Sequence, residues 1–176
     1  MIFTTSRLIV RRLTETDLPY FHKMQRSGRV MKYVGGRTVS LEENRKDLKN
    51  IIGLYTKRNN DFWVWAVLLK DKDRFIGTCA IVKNDKEEYE IGFRFLKKFW
   101  GAGYGKEVVE GLIFCAFTIL KLKQIVAYVD KKNKASVKIL ERYFDFVEEY
   151  YNVKERCTDR FYRLDNGDCR GEGKSK

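Results

Sequence analysis

A chain of 176 residues that is 44% hydrophobic and 14% aromatic is long enough for one domain with a proper core, which excludes a disordered chain. No apolar run reaches the roughly 18 residues a membrane span needs, and Met1–Arg7 lacks the apolar core of a signal peptide, so we expect a cytoplasmic protein. The net charge of +12 invites polyanions, but Lys and Arg are spread along the chain rather than gathered in an arm, which argues against nucleic acid as the partner.

Residues 6–12 alternate as a first strand. Thr14-Glu-Thr-Asp17 reads as a capping box that opens a first helix, with Leu18, Phe21 and Met24 on its buried side and Pro19 tolerated in its first turn. Residues 25–39 carry Gly28, Gly35 and Gly36 and read as an irregular connection. Ser40-Leu-Glu-Glu43 is a clearer capping box, and Leu41, Leu48, Ile51, Ile52 and Tyr55 form the stripe of a second helix. The run 62–69, Phe-Trp-Val-Trp-Ala-Val-Leu-Leu, predicts a strand buried on both faces. Strands at 74–82 and 88–96 follow across short polar turns, too short for crossovers, so the three strands make an antiparallel meander.

The stretch from Glu90 to Glu107 organises the rest. Ile91, Phe93 and Phe95 alternate with Gly92 and Arg94 as a strand, and Gly101, Gly103 and Gly105 then punctuate a turn. From Lys106 the apolar residues Val108, Val109, Leu112, Ile113, Ala116 and Leu120 fall at helical spacing. A glycine turn before a helix N-terminus is a seat for phosphate. A dinucleotide fingerprint fails at Lys106, where the third glycine belongs, and a P-loop fails at Glu107, where the hydroxyl belongs. A strand at 124–129, after the third helix, completes a β-α-β unit with a parallel pair. A fourth helix over about 133–144 carries Ser136, Ile139, Leu140 and Tyr143 on one face, and strands near 146–151 and 159–165 close the sheet. We place one domain at 1–165 and a polar tail at 166–176.

Lys98-Phe-Trp-Gly-Ala-Gly103 resembles the Q/R-x-x-G-x-G/A pyrophosphate loop of the GNAT superfamily of N-acetyltransferases, with Lys98 where Gln or Arg is usual. The run Glu90-Ile-Gly-Phe, the Asn133-Lys-Ala-Ser136 helix start and the opening Thr5–Thr14 strand are similar to the Rim-type (ribosomal-protein N-acetyltransferase-like) branch, in the expected order over residues 5–165. The resemblance implies an α/β (α+β) fold, a mixed and mostly antiparallel sheet of about seven strands flanked by four helices. It implies acetyl-coenzyme A as cosubstrate and no metal, and a small-molecule or peptide primary amine as acceptor, on a monomer or homodimer. The cofactor would be held by the backbone at Phe95 and Leu96, by Lys98, Gly101, Ala102, Gly103, Tyr104 and Gly105 around the pyrophosphate, and by Asn133 on its arm.

Acetyl transfer to an amine needs a base for the ammonium proton, a donor for charge on the carbonyl oxygen and an acid for the leaving thiolate. Glu90 is the first candidate base, against an exposed strand carboxylate as the bland reading; Glu155, in the hairpin of the last two strands, is its rival. The acid tyrosine usual on the fourth helix is replaced by Leu140. Ser136 is the alternative, with Tyr143 behind it, and the bland reading of Ser136 is a hydroxyl bonded back to its own helix. Phe144-Asp-Phe146 is one residue longer than the family's Gly-Phe, which leaves the match of 143–155 open. A catalytically weak acyl-coenzyme-A-binding protein of the same fold is the alternative function, and a basic nucleic-acid-binding module a more distant one. His22 is the only histidine, which leaves histidine triads and His-rich metal sites without material. The four cysteines, Cys79, Cys115, Cys157 and Cys169, have no metal-ligand spacing and read as reduced thiols. The resemblance implies that the irregular segment lines the acceptor site, where Arg26, Arg29, Lys32 and Arg37 would favour an acceptor with an acidic body; the bland reading is that these side chains point to solvent.

Overall fold

A computed structural model describes residues 1–167. Cys169 and the tail from residue 168 on lie outside the described residues, so the expectations placed on them stay there. One eight-stranded sheet runs in the order β1-β2-β3-β4-β5-β6-β8-β7. Its strands are β1 (Phe3–Thr4), β2 (Leu8–Arg12), β3 (Phe62–Leu69), β4 (Arg74–Lys83), β5 (Tyr89–Phe95), β6 (Gln124–Asp130), β7 (Asp145–Asn152) and β8 (Cys157–Asp165). The helices are α1 (Leu18–Gln25), α2 (Gly28–Met31), α3 (Leu41–Leu54), α4 (Tyr104–Phe114) and α5 (Lys134–Tyr143). α4 runs on into a π-helical turn over Cys115–Ile119. The mixed, mostly antiparallel α/β sheet is the expected one, with β1 and α2 added to the seven strands and four helices read from the sequence. Both additions are short: β1 pairs only Phe3 with Val10 and Thr4 with Ile9, and α2 is a single turn that buries Val30 and Met31 inside the segment read as irregular. No described helix is long and apolar enough to cross a membrane.

β3 shows why a continuous apolar run is needed. Trp65 and Val67 point into a core shared with α4 and α5, while Ala66 and Leu68 point into a second core under α1 and α3. The strand is therefore buried on both faces along its middle, although Phe62 at its start stays exposed. Both capping boxes form: Thr14 N–H donates to Asp17 Oδ2 at 2.8 Å, Ser40 N–H to Glu43 Oε2 at 2.9 Å, and Glu43 N–H to Ser40 Oγ at 3.2 Å. The Tyr55 hydroxyl, at the end of α3, accepts from Leu13 N–H at 2.9 Å and donates to the Val64 carbonyl. Burial pushes its pKa up to about 12. That bond fastens α3 to the sheet.

The helix α4 starts directly after the glycine turn. Gly101 and Gly103 have φ of 74° and 82°, left-handed values that L side chains rarely adopt, and Gly103 is the residue from which α4 starts. Gly105 serves packing instead: a Cβ there would stand 2.8 Å from Ile139 Cδ1 and 3.3 Å from the Phe93 ring, so α4 lies close on β5 and α5 only because the side chain is missing.

Candidate active site

Every neighbouring pair of strands is antiparallel except β5 and β6, which run parallel and meet at a single residue pair, Glu90 with Val126. From there the two strands separate toward Phe95 and Asp130, and the sheet has a wedge-shaped gap. The ladder from β4 decides which groups of β5 look into it. Asn84 N–H donates to the Glu88 carbonyl at one end and Leu96 N–H to the Ile76 carbonyl at the other. Alternation between those bonds turns the amides of Glu90, Gly92 and Arg94 toward β4 and those of Ile91, Phe93 and Phe95 toward β6. Beyond the Glu90–Val126 pair no ladder joins β5 to β6, so the amides of Phe93 and Phe95 face the gap. This corrects the cofactor assignment of Leu96. Its N–H is bonded to Ile76, its carbonyl accepts from Phe99 N–H, and its side chain is buried in the α1–α3 core. Phe95 stays at the gap, with its carbonyl held by Trp100 Nε1 at 2.9 Å, and Phe93 joins it. Ladder parity was the signal that would have exchanged the two.

Side chains of the two sheet faces meet at the gap around a cleft of about 300 Å3. Glu90, Gly92, Arg94, Thr78 and Ala80 line it from the α1–α3 side, and Ile91, Phe93, Asn133, Ser136 and Leu140 from the α5 side. It continues past Glu90 and Tyr128 into a wider vestibule of about 610 Å3, walled by residues 32–36, the β4–β5 turn and the β7–β8 turn. The Tyr33 hydroxyl reaches across to the Lys132 carbonyl at 3.5 Å and lines both spaces.

Glu90 is half-buried where cleft and vestibule join. Burial raises its pKa above the ordinary carboxylate value. The Asn84 amide, 3.4 Å from Oε2, opposes that, and Asp159 and Glu88 reinforce it. Ser136 lies across the cleft on the first turn of α5, its hydroxyl without a protein partner among the described residues. Asn133 caps α5, its Oδ1 accepting from Ser136 N–H at 3.4 Å, and it faces the cleft. Glu155 lies in the outer vestibule, exposed, in the β7–β8 turn. Tyr143 is not at the site at all. Its hydroxyl donates to Glu110 Oε1 of α4 at 2.5 Å, and burial together with that bond raises its pKa far above the usual range. The backup acid is thereby withdrawn.

The glycine loop Gly101–Gly105 is exposed up to the start of α4. Lys98 is exposed too, with Nζ 4.9 Å above the Phe99 ring, and it borders a separate groove with His22, Lys23, Arg26 and Lys97. Arg7 also stands at this loop, a position with no signature in the sequence. Its guanidinium lies 4.5 Å over the Tyr104 ring, pairs with Glu107 at 2.5 Å, and has Nη2 3.3 Å from where a Gly103 Cβ would stand. Burial would raise the Glu107 pKa, but hydrogen bonds from Thr5 and Arg7 outweigh it and hold the carboxylate ionised. Tyr128 was missed as well. It stacks on Phe161 at 4.7 Å and donates to Glu88 Oε2 at 2.7 Å, and burial with that bond raises its pKa strongly. The basic segment also reads differently in three dimensions: Arg37 is paired with Glu43 at 2.9 Å, Arg26 faces the separate groove, and Lys32 alone of the four lines the vestibule.

Comparison with known proteins agrees with this geometry. A family profile described as an acetyltransferase (GNAT) domain matches residues 7–143. An uncharacterized N-acetyltransferase of Bacillus licheniformis, p20, is 30% identical over 164 residues, 88% of this chain and 90% of the relative. Among solved structures, the ribosomal L7/L12 alpha-N-protein acetyltransferase RimL in complex with coenzyme A superposes with a TM-score of 0.79 at 15% identity, over 93% of this chain and 97% of that one. Spermidine N-acetyltransferase of Vibrio cholerae, in complex with coenzyme A and spermine, gives 0.75 at 19% identity, over 91% and 96%. At these identities the two structures speak to the fold alone.

Proposed function

The chain belongs to the GNAT acetyltransferases, and from that premise we propose that it transfers acetyl from acetyl-coenzyme A to a primary amine, either a peptide N-terminus or an amino-acid-like small amine, by direct attack in the β5–β6 gap. Acetyltransferase activity follows from the family; the acceptor and the residue roles are our reading. The observation that carries it is the gap itself, pinned at Glu90–Val126 and edged by the amides of Phe93 and Phe95. Free strand amides, a glycine turn with two left-handed residues and the N-terminus of α4 fit a thioester arm followed by a pyrophosphate. Bound acetyl-coenzyme A would supply the activated acyl group. Gly101, Ala102, Gly103, Tyr104 and Gly105 would cradle its phosphates, and Asn133 would face its arm. Lys98, turned onto Phe99, contributes at most a screened charge.

Glu90 takes the ammonium proton, directly or through water, because its raised pKa brings it closer to neutrality than an ordinary carboxylate. Glu155 sits too far out in the vestibule for first choice. The amide of Phe93 or Phe95 donates to the carbonyl oxygen, and Ser136 protonates the departing sulfur. The Glu90-Ile-Gly-Phe run and the Asn133–Ser136 helix start favour the Rim-type branch. The free thiols Cys79, Cys115 and Cys157 fit a reducing cytoplasm. The test is thermal unfolding with millimolar acetyl-coenzyme A, followed by coenzyme A release on an amine panel. A raised melting point and amine-dependent release are expected. No shift refutes the reading, and a shift without release on any amine favours a binding protein of the same fold.

A further inference from the structure

The floor of the groove under α2 is the face of β5 that carries Glu90, Gly92 and Arg94. Gly92 leaves it open, with nothing within 4 Å of where a Cβ would stand. Around that opening the lining is apolar, from Phe62, Val64, Ala80 and Val82. At its inner end sits Arg94, half-buried. Nη1 donates to Gln25 Oε1 at 3.4 Å and touches Met31 Sδ at 3.7 Å, both neutral partners. Nε and Nη2 have no protein acceptor among the described residues, and no carboxylate there comes within ion-pair distance of the guanidinium. Arg7, Arg11, Arg37, Arg45 and Arg160 have one; what sets Arg94 apart from the other arginines is that it also lines the cleft. Burial lowers the Arg94 pKa with no anion opposing it, but a guanidinium stays charged at any working pH. A guanidinium whose free N–H groups face a ligand-sized cleft with no counterion beside it is suited to take an anionic group of a ligand as its partner.

The opposite end of the same groove has the opposite character. The vestibule beyond mixes Asp85, Asp130, Glu155 and Asp159 with Lys32, Lys86, Lys154 and Arg156, so it is the half-buried carboxylate of Glu90, where cleft and vestibule join, that offers an ammonium group its partner.

We propose that Arg94 anchors a carboxylate of the acceptor, which lies over Gly92 with its nitrogen toward Glu90. Glu90 and Arg94 stand four residues apart, about 13 Å of strand rise, and a hydrogen bond of about 3 Å at each end leaves room for a small amine whose acid group stands within about 7 Å of its nitrogen. This rests on the acetyl-transfer reading above and narrows it. Free amino acids meet the spacing, whereas a protein N-terminus meets it only when an acidic side chain follows directly. A polyamine would bring a second ammonium onto an unpaired guanidinium and is rejected.

Matched pairs test this on the full chain: α-amino acids, β-alanine and γ-aminobutyrate, each beside its carboxamide, with spermidine as a further acceptor, for wild type, Arg94→Gln and Arg94→Lys. For wild type we expect kcat/KM on the best acid to exceed that on its amide by about 30-fold, the worth of a charge-assisted bond. In Arg94→Gln that ratio should fall to about threefold or less, through a higher KM for the acid, and Arg94→Lys should recover part of it. Acetyl-coenzyme A should stabilise all three proteins equally. A wild type that does not distinguish acid from amide, or that prefers spermidine, overturns the proposal even if Arg94→Gln does not fold. Equal loss on acid and amide in Arg94→Gln also overturns it, because it would make Arg94 structural. Absence of transfer to every amine, despite stabilisation by acetyl-coenzyme A, would refute the acetyl-transfer reading itself.

Discussion

From β2 to β5 each strand is laddered to the next along most of its length, and helices cover both faces. From β6 outward the sheet is different: α5 covers one face, and β7 at the far edge is exposed along nearly all of its length. Between the two halves stands one residue pair. The first half is a continuously laddered block with two cores, the second a flap of sheet packed on α5, and the groups proposed to react are drawn from the border of both. Glu90 and the Phe93 and Phe95 amides come from the block's last strand; Asn133, Ser136 and Tyr128 come from the second half. Precision at the site therefore depends on α4 and α5 holding the halves together, not on the sheet.

Single substitutions would break or sharpen that contrast. Leu112 of α4 is fully buried in the core that joins the halves, and Leu112→Ala should cost about 3 kcal/mol, roughly 6–12 °C in melting temperature, by calorimetry. Val147→Thr, on the exposed strand β7, should stay within about 0.5 kcal/mol. Next in size, Glu90→Gln should lower kcat by about 100-fold at pH values below the amine's pKa, where a base matters, while acetyl-coenzyme A affinity holds. If Glu155→Gln is the damaging change instead, the base lies in the vestibule.

Glu90 also leaves a mark on stability. Its folded pKa lies above the unfolded value, so its contribution is fully present below the ordinary carboxylate pKa and is lost as pH rises through the raised one. Glu90→Gln should therefore match wild type in acid and melt slightly higher near neutrality, a sign opposite to that expected of a structural carboxylate. Gly103→Val should weaken acetyl-coenzyme A about 30-fold in titration calorimetry, because φ of 82° is forbidden to valine and the side chain would meet Arg7. Lys98→Ala should change affinity less than threefold, since its ammonium is solvated. Smallest of all, Tyr143→Phe should leave kcat within a factor of two, because that hydroxyl serves Glu110 on the surface.

Alternation and helical spacing carried much of the fold in advance. β3 needed an unbroken apolar run because two cores meet on it, and that run was plain in the sequence. β1 and α2 were not, since two residues or one turn leave no period to detect. In the site, the face shared by Glu90, Gly92 and Arg94 follows from a period of two. What made Glu90 special was its place beside the last rung of a ladder that stops, and register between strands more than thirty residues apart in sequence is set by tertiary packing. Leu96 was misplaced because a strand's end was read without its hydrogen-bond parity. Tyr143 was misplaced because a stripe along α5 does not say how far along the helix the cleft extends. Arg7 and Arg94 carry no local signature: each matters through what stands next to it in space.

The single rung at Glu90–Val126 has a consequence for traffic. A gap shut at one end admits a long thioester arm from the other end and releases the spent thiol by the same route. The vestibule opens instead on the α1–α3 side of the sheet, which on the proposed reading gives the amine its own door. Neither ligand blocks the other's way, and neither must depart before its counterpart arrives. On the proposed reading both occupy the protein together before any bond changes. Initial rates measured against both substrates should give intersecting lines in double-reciprocal form; parallel lines would mean that the acyl group first passes to the protein.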